Sequence, residues 1–298
     1  MFAALLTTAC FSFSVIFAQR SIAAVGQVRA NLGRLLVAAF ILGLYAHTIG
    51  TGFHNAATGW LFLSGVVGMG FGDIALFMAL PRLGSRLTLL MAQCLAAPIA
   101  AICEWTWLGT RLTAAQLALG AVILAGIAVA FMPDRAHPPR VRLRWSGFAI
   151  GVLAAAGQGI GAIITRKGNL VSLAAGEGLL NGIDAAYHRI LGGLTITALW
   201  YIVVCGRQWA PPTAAAPAQP RHYGWAVANG LAGPVFGVSC YQWALATSPS
   251  GIVLPIVATS PLLAIPLAWW LEGDRPNLRS ILGGVIAVAG VIGLILVR

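Results

Sequence analysis

Two stretches of the chain carry one pattern: PIAAICEWTWLGTRLTAAQLALGAVILAG at residues 98–126 and PLLAIPLAWWLEGDRPNLRSILGGVIAVAG at residues 261–290. Each begins with a proline in an apolar run, continues into a Trp-rich end and a turn of the form Gly-x-Arg, and finishes in a second apolar run. The glycines of these second runs also match, because Gly120 and Gly126 correspond to Gly284 and Gly290. A match so far apart indicates a duplicated unit of about half the chain.

Matches elsewhere extend the duplication through the whole sequence. ANLGRLLVAAF at residues 30–40 aligns with AAYHRILGGLT at residues 185–195, which places Arg34 opposite Arg189. An offset of 165 residues relates Gly59-Trp60 to Gly224-Trp225 and Phe71-Gly72 to Phe236-Gly237.

The composition excludes an ordinary soluble domain. Of the 298 residues, 59% are hydrophobic and only 8% are charged, whereas soluble domains carry about 25% charged residues. Apolar runs of about 20 residues are typical of membrane-spanning helices. We therefore predict ten spans, at residues 2–18, 28–49, 58–80, 85–107, 114–132, 146–165, 183–204, 223–246, 250–271 and 277–297.

Five spans fall in each repeat, and this odd number has a topological consequence. The second repeat must enter the bilayer from the opposite side, so the two halves are inverted relative to each other. The prediction is an all-α membrane protein with ten transmembrane helices in two inverted five-helix repeats. The repeats occupy residues 1–132 and 146–298, and the Pro- and Arg-rich segment 133–145 is the linker between them. Inverted repeats are a recurrent architecture of secondary transporters.

Two such repeats, each ending in Pro, a Trp-rich segment, Gly-x-Arg and two spaced glycines, resemble the paired EamA domains of the drug/metabolite transporter superfamily. The resemblance covers essentially the whole chain and implies a transporter of small organic metabolites, with export as its direction. The turn that usually reads Gly-Glu-Arg in that family is Gly-Asp-Arg at 273–275 and Gly-Thr-Arg at 109–111 in this sequence. The acid of this turn is therefore not expected to be essential here.

Asp73 is the one acid well inside a predicted span. An ionisable group at that depth is costly and indicates a function. Burial disfavours the charged form of a carboxylate, so such a group can bind and release a proton as its access to water alternates. Asp73 is therefore the predicted ion-coupling residue. The alternative is a structural carboxylate, paired with an arginine such as Arg34. Gly68 and Gly72 precede it on one helical face, where another helix backbone can approach closely.

Arg34 and Arg189 each lie about six residues inside a span, roughly 9 Å from its end. Either could extend to the membrane surface, or the two could face a central cavity from matching helices. Polar and aromatic residues concentrate in spans six to eight, where the two repeats are expected to meet. The predicted substrate-binding residues are Tyr187, Arg189, Gln158, Tyr241, Gln242 and, in span four, Gln93.

No catalytic, metal or cofactor pattern is present in the sequence. The five histidines lack ligand spacing, and the five cysteines form no CxxC pair and are interpreted as small buried hydrophobic residues. The net charge of +11 resides mostly in connections between apolar runs, where arginines set membrane orientation. It therefore does not indicate binding to nucleic acid.

The function predicted from these observations is secondary active transport of small polar organic metabolites, amino-acid-like or similar, by alternating access. The partners are the solute, the lipid bilayer and, as a coupling ion, the proton; the chain could be a monomer or a homodimer. The location is the cell membrane, or the inner membrane in a bacterium. One alternative is a membrane partner or sensor that transports nothing. A polytopic enzyme acting on lipid-linked substrates is disfavoured, because the acids and histidines do not cluster near one interface.

Overall fold

The computed structural model describes residues 1–131, 145–206, 223–260, 262–263 and 278–297. All regular secondary structure in this part of the chain is helical. Three π-helical stretches, Val66–Gly72, Glu104–Leu108 and Leu231–Gly237, adjoin the α-helices. The α-helices are α1 (Phe2–Val25), α2 (Gln27–Thr48), α3 (Thr58–Gly65), α4 (Asp73–Cys103), α5 (Ala114–Phe131), α6 (Trp145–Ala174), α7 (Gly182–Gly206), α8 (Tyr223–Gly230), α9 (Val238–Thr247), α10 (Ser250–Val257) and α11 (Leu278–Leu296).

The helices have the length and surface of membrane spans. Within the described residues, five are long and apolar enough to cross a bilayer: Phe2–Ile22, Gln27–Thr48, Thr58–Leu76, Trp145–Ala174 and Gly182–Val204. Large apolar side chains such as Phe40, Leu153 and Ile202 are exposed on the outside of the bundle. Lipid would cover these side chains, because a hydrocarbon environment removes the cost of exposing them to water.

Helix α4 contains the end of the predicted third span and most of the fourth, and its contacts with α6 show that the chain reverses its direction between them. The neighbouring residues Gly157 and Gly159 of α6 contact Gly72 and Ala96 respectively. In one straight helix, residues 72 and 96 would lie about 36 Å apart. Leu83 and Met91 both contact Gly151, so the reversal lies between them. The predicted third and fourth spans are therefore two antiparallel arms of continuous helical backbone.

Matching helices of the two halves pack against each other in opposite directions. Between α2 and α7, Gly50 contacts Asp184 and Gly43 contacts Tyr187. Between α5 and α11, Gly126 contacts Ala287 and Gly293 contacts Leu119. In both pairs the residue number rises along one helix as it falls along the other. This antiparallel packing of corresponding helices is what an inverted repeat requires.

The π-helical stretches Val66–Gly72 and Leu231–Gly237 lie at corresponding places in the two halves. Each has seven residues, and the sequence offset of 165 residues superposes one on the other. A π-helix is rare and occurs often at functional sites. The first stretch leads directly into Asp73 and the second into Val238. Both repeats therefore have a π-helical stretch at the same place, but it precedes an acid, Asp73, in the first half and an apolar residue, Val238, in the second.

Glycines bring α6 against the first of these stretches. A methyl group at Gly157 would lie 2.7 Å from the Cα of Gly72, and one at Gly161 would lie 3.0 Å from the Cα of Gly68. The two backbones are thus in direct contact, as the sequence predicted for the face formed by Gly68 and Gly72. This contact joins the two halves, because α6 belongs to the second half.

At one end of the bundle, acidic side chains connect the loops of the two halves. Glu104, only 2% exposed, accepts a hydrogen bond from the Nε of Arg166 at 3.1 Å and another from the backbone N–H of Ser250 at 2.7 Å. Asp184 accepts a hydrogen bond from the backbone N–H of Thr51 at 3.1 Å. We call this the carboxylate-linked end, defined by Glu104, Arg166, Asp184, Thr51 and Ser250. The bonds hold the two halves together there.

Hydroxyl groups of α1 bind this helix to the second half. Thr8 donates to the carbonyl oxygen of Ile256 at 3.2 Å, and Ser12 donates to that of Ser260 at 2.8 Å. Ser14 donates to the Oδ1 of Asn229 at 2.7 Å. The polar residues of the first span therefore act as interhelical contacts. Pro261, the Gly-Asp-Arg turn at 273–275 and the linker up to residue 144 lie outside the described residues.

Candidate functional site

A cavity of about 280 Å³ lies inside the helix bundle, between the two halves. Its walls extend from Tyr241 and Leu254 to Ile22 and Ala30, which flank the connection between α1 and α2. The cavity therefore runs toward the end of the bundle opposite the carboxylate-linked end. Among the described residues, the charged and amide side chains in its lining are Asn31, Arg34, Asp73, Gln158, Arg189 and Asn229.

Asp73 is held by partners from both halves. Arg34 of α2 donates from Nη2 to one carboxylate oxygen at 2.8 Å, and Gln158 of α6 donates from Nε2 to the other at 2.9 Å. The side chain of Asp73 is 10% exposed and that of Arg34 is 19% exposed. The carboxylate is therefore bound on both oxygens while remaining at the cavity wall. The same Nε2 of Gln158 lies 3.2 Å from the carbonyl oxygen of Gly68.

A second side chain fixes the orientation of Arg34. Asn31, one helical turn earlier in α2, accepts a hydrogen bond from the Nε of Arg34 at 2.8 Å. Asn31 is 4% exposed and lines the cavity. Two nitrogens of the guanidinium group are thus occupied, Nε by an amide oxygen and Nη2 by a carboxylate. This arrangement directs Arg34 toward Asp73 and away from the membrane surface.

Arg189 is more deeply buried and has neutral partners. Its residue exposure is 2%. Its Nη1 donates to the hydroxyl of Ser64 at 2.8 Å and lies 3.2 Å from that of Thr165, while the guanidinium carbon lies 5.4 Å from the centroid of the Tyr241 ring. The Nε of Arg189 has no hydrogen-bond partner in the structure. Among the described lining residues, the one carboxylate is that of Asp73, which Arg34 holds.

Gly68 leaves room for the guanidinium group of Arg189. A methyl group at Gly68 would lie 2.8 Å from Nη2 of Arg189. This distance is shorter than a van der Waals contact between a carbon and a nitrogen, so the guanidinium group or the backbone would have to move. The absence of a side chain at residue 68 therefore determines where the charge of Arg189 can sit.

Most of the remaining cavity wall is apolar. Side chains of both halves contribute, from α1, the π-helical stretches, α4, α9 and α10. The apolar side chains in the lining include Phe11, Val15, Ile22, Met69, Leu76, Val238, Leu254 and Val257. A small apolar cavity with a few convergent polar groups is typical of a binding site for a small molecule.

The structure places the predicted site residues in three groups. Asp73, Gln158, Arg189 and Tyr241 line the cavity. Tyr187 and Gln242 do not belong to its lining. The side chain of Gln93 lies outside the part of the chain that the structure describes.

Helix geometry explains why Tyr187 and Gln242 lie elsewhere. Tyr187 precedes Arg189 by two residues, which corresponds to about 200° around the helix, so it faces the other way. Its hydroxyl lies 3.2 Å from the Nε2 of His47, and its ring packs near Phe53 and His188. Gln242 lies behind the cavity wall, 1% exposed, with its Nε2 3.5 Å from the hydroxyl of Thr165.

Four polar residues of the lining were not predicted: Ser14, Asn31, Asn229 and Ser260. Two of them had a detectable signal. Asn31 precedes Arg34 by one helical turn, and Asn229 corresponds to Ser64 at the repeat offset of 165 residues. Ser14 and Ser260 gave no comparable signal, because short hydroxyl side chains are common in membrane helices, where they bond to backbone carbonyls.

In the described part of the chain, an all-helical bundle of apolar spans surrounds a partly charged cavity, an arrangement typical of multi-pass membrane transporters. The family model described as the EamA-like transporter family matches residues 1–132 and again residues 145–296. The chain therefore belongs to this family, which is part of the drug/metabolite transporter superfamily. The two-repeat match confirms the predicted family and the predicted all-α membrane fold. Members of this family are transporters and not enzymes.

A solved crystal structure has a similar fold. It matches 99% of this chain and 96% of its own chain, with a TM-score of 0.75 and 18% sequence identity. At this identity the similarity concerns the fold alone. No curated protein sequence matches the chain.

Proposed function

We propose that this protein is a secondary active transporter that exports small polar organic metabolites across the cell membrane by alternating access of its two halves. The observation that carries the proposal is the cavity between the halves, whose lining brings Asp73, Arg34 and Gln158 into contact. Transporters with inverted repeats bind their solute near the midplane, where the repeats meet. The membrane is the cell membrane, which in a bacterium is the inner membrane. Export as the direction follows the family resemblance.

Asp73 is the proposed proton-binding residue. In its ionised form the carboxylate of Asp73 only accepts hydrogen bonds, one on each oxygen, from Arg34 and from Gln158. A proton on Asp73 would remove the ion pair with Arg34 and weaken the bond to Gln158, which belongs to the other half. The occupancy of this one site would thereby change the contact between the halves. Such a link between an ion and a conformational equilibrium is what coupled transport requires.

The test uses purified protein in liposomes with an imposed pH gradient and a panel of labelled metabolites. The wild type should accumulate at least one solute in response to the gradient. Asp73→Asn should remain folded and keep downhill exchange at least in part, but lose pH-driven accumulation. Accumulation that persists at the wild-type level in this variant would make Asp73 a structural residue.

The matched control is Glu177→Gln. Glu177 accepts a hydrogen bond from the backbone N–H of Ala56 at 2.7 Å, outside the cavity. A glutamine can accept the same bond, so this variant removes a carboxylate without touching the proposed coupling site. Its pH-driven accumulation should equal that of the wild type. If the wild type and both variants transport none of the labelled metabolites, the result would favour the alternative, a membrane partner or sensor.

A further inference from the structure

We infer that the transported solute is an organic monoanion with an apolar body, such as a carboxylic acid, and that Arg189 binds its anionic group. This inference rests on the proposed transport function and specifies the class of solute. It follows from a difference between the two arginines of the cavity. Arg34 forms an ion pair with a carboxylate, whereas Arg189 has no carboxylate partner among the described lining residues.

The first step concerns the charge of the cavity. Arg34, Arg189 and Asp73 are the charged side chains in the described lining. The ion pair between Arg34 and Asp73 at 2.8 Å leaves the charge of Arg189 uncompensated. A buried charge is costly unless an opposite charge and hydrogen bonds stabilise it. A solute that supplies one negative charge would complete the site.

The second step concerns the hydrogen-bonding groups of Arg189. Nη1 is used by Ser64 and Thr165, which orient the guanidinium group. Nε has no partner although it is buried. An arginine edge that carries two N–H donors matches the geometry of a carboxylate or a related oxyanion. The free edge of Arg189, formed by Nε and its neighbouring Nη, is therefore the proposed contact for the anionic group.

The third step concerns the rest of the solute. Apolar side chains such as Met69, Val238 and Val257 line the same cavity, and the ring of Tyr241 lies 5.4 Å from the guanidinium carbon of Arg189. A sugar or polyol would leave many hydroxyl groups without partners against such a wall. A cationic solute would be repelled by Arg189, because Asp73 is already bound by Arg34. A solute with an apolar body and a single anionic group matches both the apolar lining of the cavity and the unpaired edge of Arg189.

The experiment compares three solutes of equal shape: 3-phenylpropionate, its neutral amide and the corresponding amine. Binding to the purified wild-type protein is measured by the shift of its thermal unfolding temperature and by calorimetry at pH 7. At equal concentration, a ligand that binds the folded state more tightly raises this temperature further. The carboxylate should bind at least about tenfold more tightly than the amide or the amine. Equal binding of amide and carboxylate, or tighter binding of the amine, would overturn the inference.

Two variants assign the effect to Arg189. Arg189→Lys keeps the charge but loses the two-donor edge, so the preference for the carboxylate over the amide should fall several-fold. Gly68→Ala keeps the arginine at residue 189 but forces its guanidinium group to move away from the added methyl group, and should weaken carboxylate binding by about tenfold. Gly59→Ala is the matched control, because nothing lies within 4 Å of a methyl group there. Unchanged carboxylate binding in a folded Gly68→Ala variant would also overturn the inference.

Chloride and phosphate are tested as further ligands. If either stabilises the protein as strongly as 3-phenylpropionate, Arg189 binds a small inorganic anion and the inferred solute class is wrong. The failure of this inference is distinguishable from failure of the proposed function. A solute of another class that crosses the liposome membrane would leave the transport function intact.

Discussion

Arg34 and Arg189 occupy corresponding positions in the two repeats, but the structure gives them different surroundings. Arg34 contacts Asp73, at the start of α4, and Asn31. The residue that corresponds to Asp73 is Val238, and the residue that corresponds to Asn31 is Ala186. The second half has therefore kept the arginine without its acidic and amide partners.

The different partners of Arg34 and Arg189 show that corresponding residues of a duplicated fold can have different chemical environments. Identical halves would give either two ion pairs or two unpaired cations in the cavity. In this chain one arginine belongs to an ion pair with Asp73, and the other has no carboxylate partner among the described lining residues. The symmetric backbone, including the matching π-helical stretches, positions both side chains at the same cavity. The chemistry is set by only a few side chains around them.

The largest effect is expected from restoring the missing acid. Val238→Asp would place a carboxylate on the cavity wall at the position that corresponds to Asp73. It should neutralise Arg189 and repel an anionic solute, at a cost of several kcal/mol. The affinity for 3-phenylpropionate, measured by calorimetry, should fall by about a hundredfold or more. Val238→Asn is the matched control with the same shape and no charge. Similar affinities in the two variants would show that charge does not distinguish the two halves.

A smaller effect is expected from removing the existing acid. Asp73→Asn leaves Arg34 without its ion pair and should destabilise the folded protein by about 1–3 kcal/mol, less than the loss for a fully buried pair because Arg34 is partly exposed. The double variant Arg34→Gln with Asp73→Asn removes both charges and should recover part of this loss. Thermal unfolding of the purified proteins in detergent measures both effects. A double variant that is no more stable than the single one would contradict direct pairing.

The smallest effect is expected from making the first half resemble the second at residue 31. Asn31→Ala removes the acceptor for the Nε of Arg34 and should lower the free energy of unfolding by about 1 kcal/mol. Binding of 3-phenylpropionate should not change, because Arg189 is untouched. Thr48→Ala is a suitable control, since this exposed hydroxyl bonds only to carbonyls within its own helix. A loss of anion binding in Asn31→Ala as large as that in Arg189→Lys would assign the solute to Arg34.

Helix periodicity explains which site residues the sequence could predict. Asp73 was identifiable because it is the one acid deep within an apolar run, and Arg189 because the repeat pairs it with Arg34. Tyr187 was proposed because polar and aromatic residues concentrate in spans six to eight, but residues that are close along a helix do not necessarily share a face. Residues two apart point in nearly opposite directions, whereas Val238 and Tyr241, three apart, both reach the cavity.

The amino-acid sequence by itself determined the membrane environment, the all-helical class and the duplication. These properties depend on composition, on the length of apolar runs and on repeated spacing, all of which can be counted along the chain. Only the tertiary structure decided that Asp73 pairs with Arg34 and not with Arg189. Arg34 and Asp73 are 39 residues apart in the sequence, but their side chains lie 2.8 Å apart in the structure. That distance depends on the glycine contacts that set how closely the helices approach each other. Coulomb interactions and hydrogen bonds fall off steeply over such distances, so a shift of one helix would change which arginine remains free.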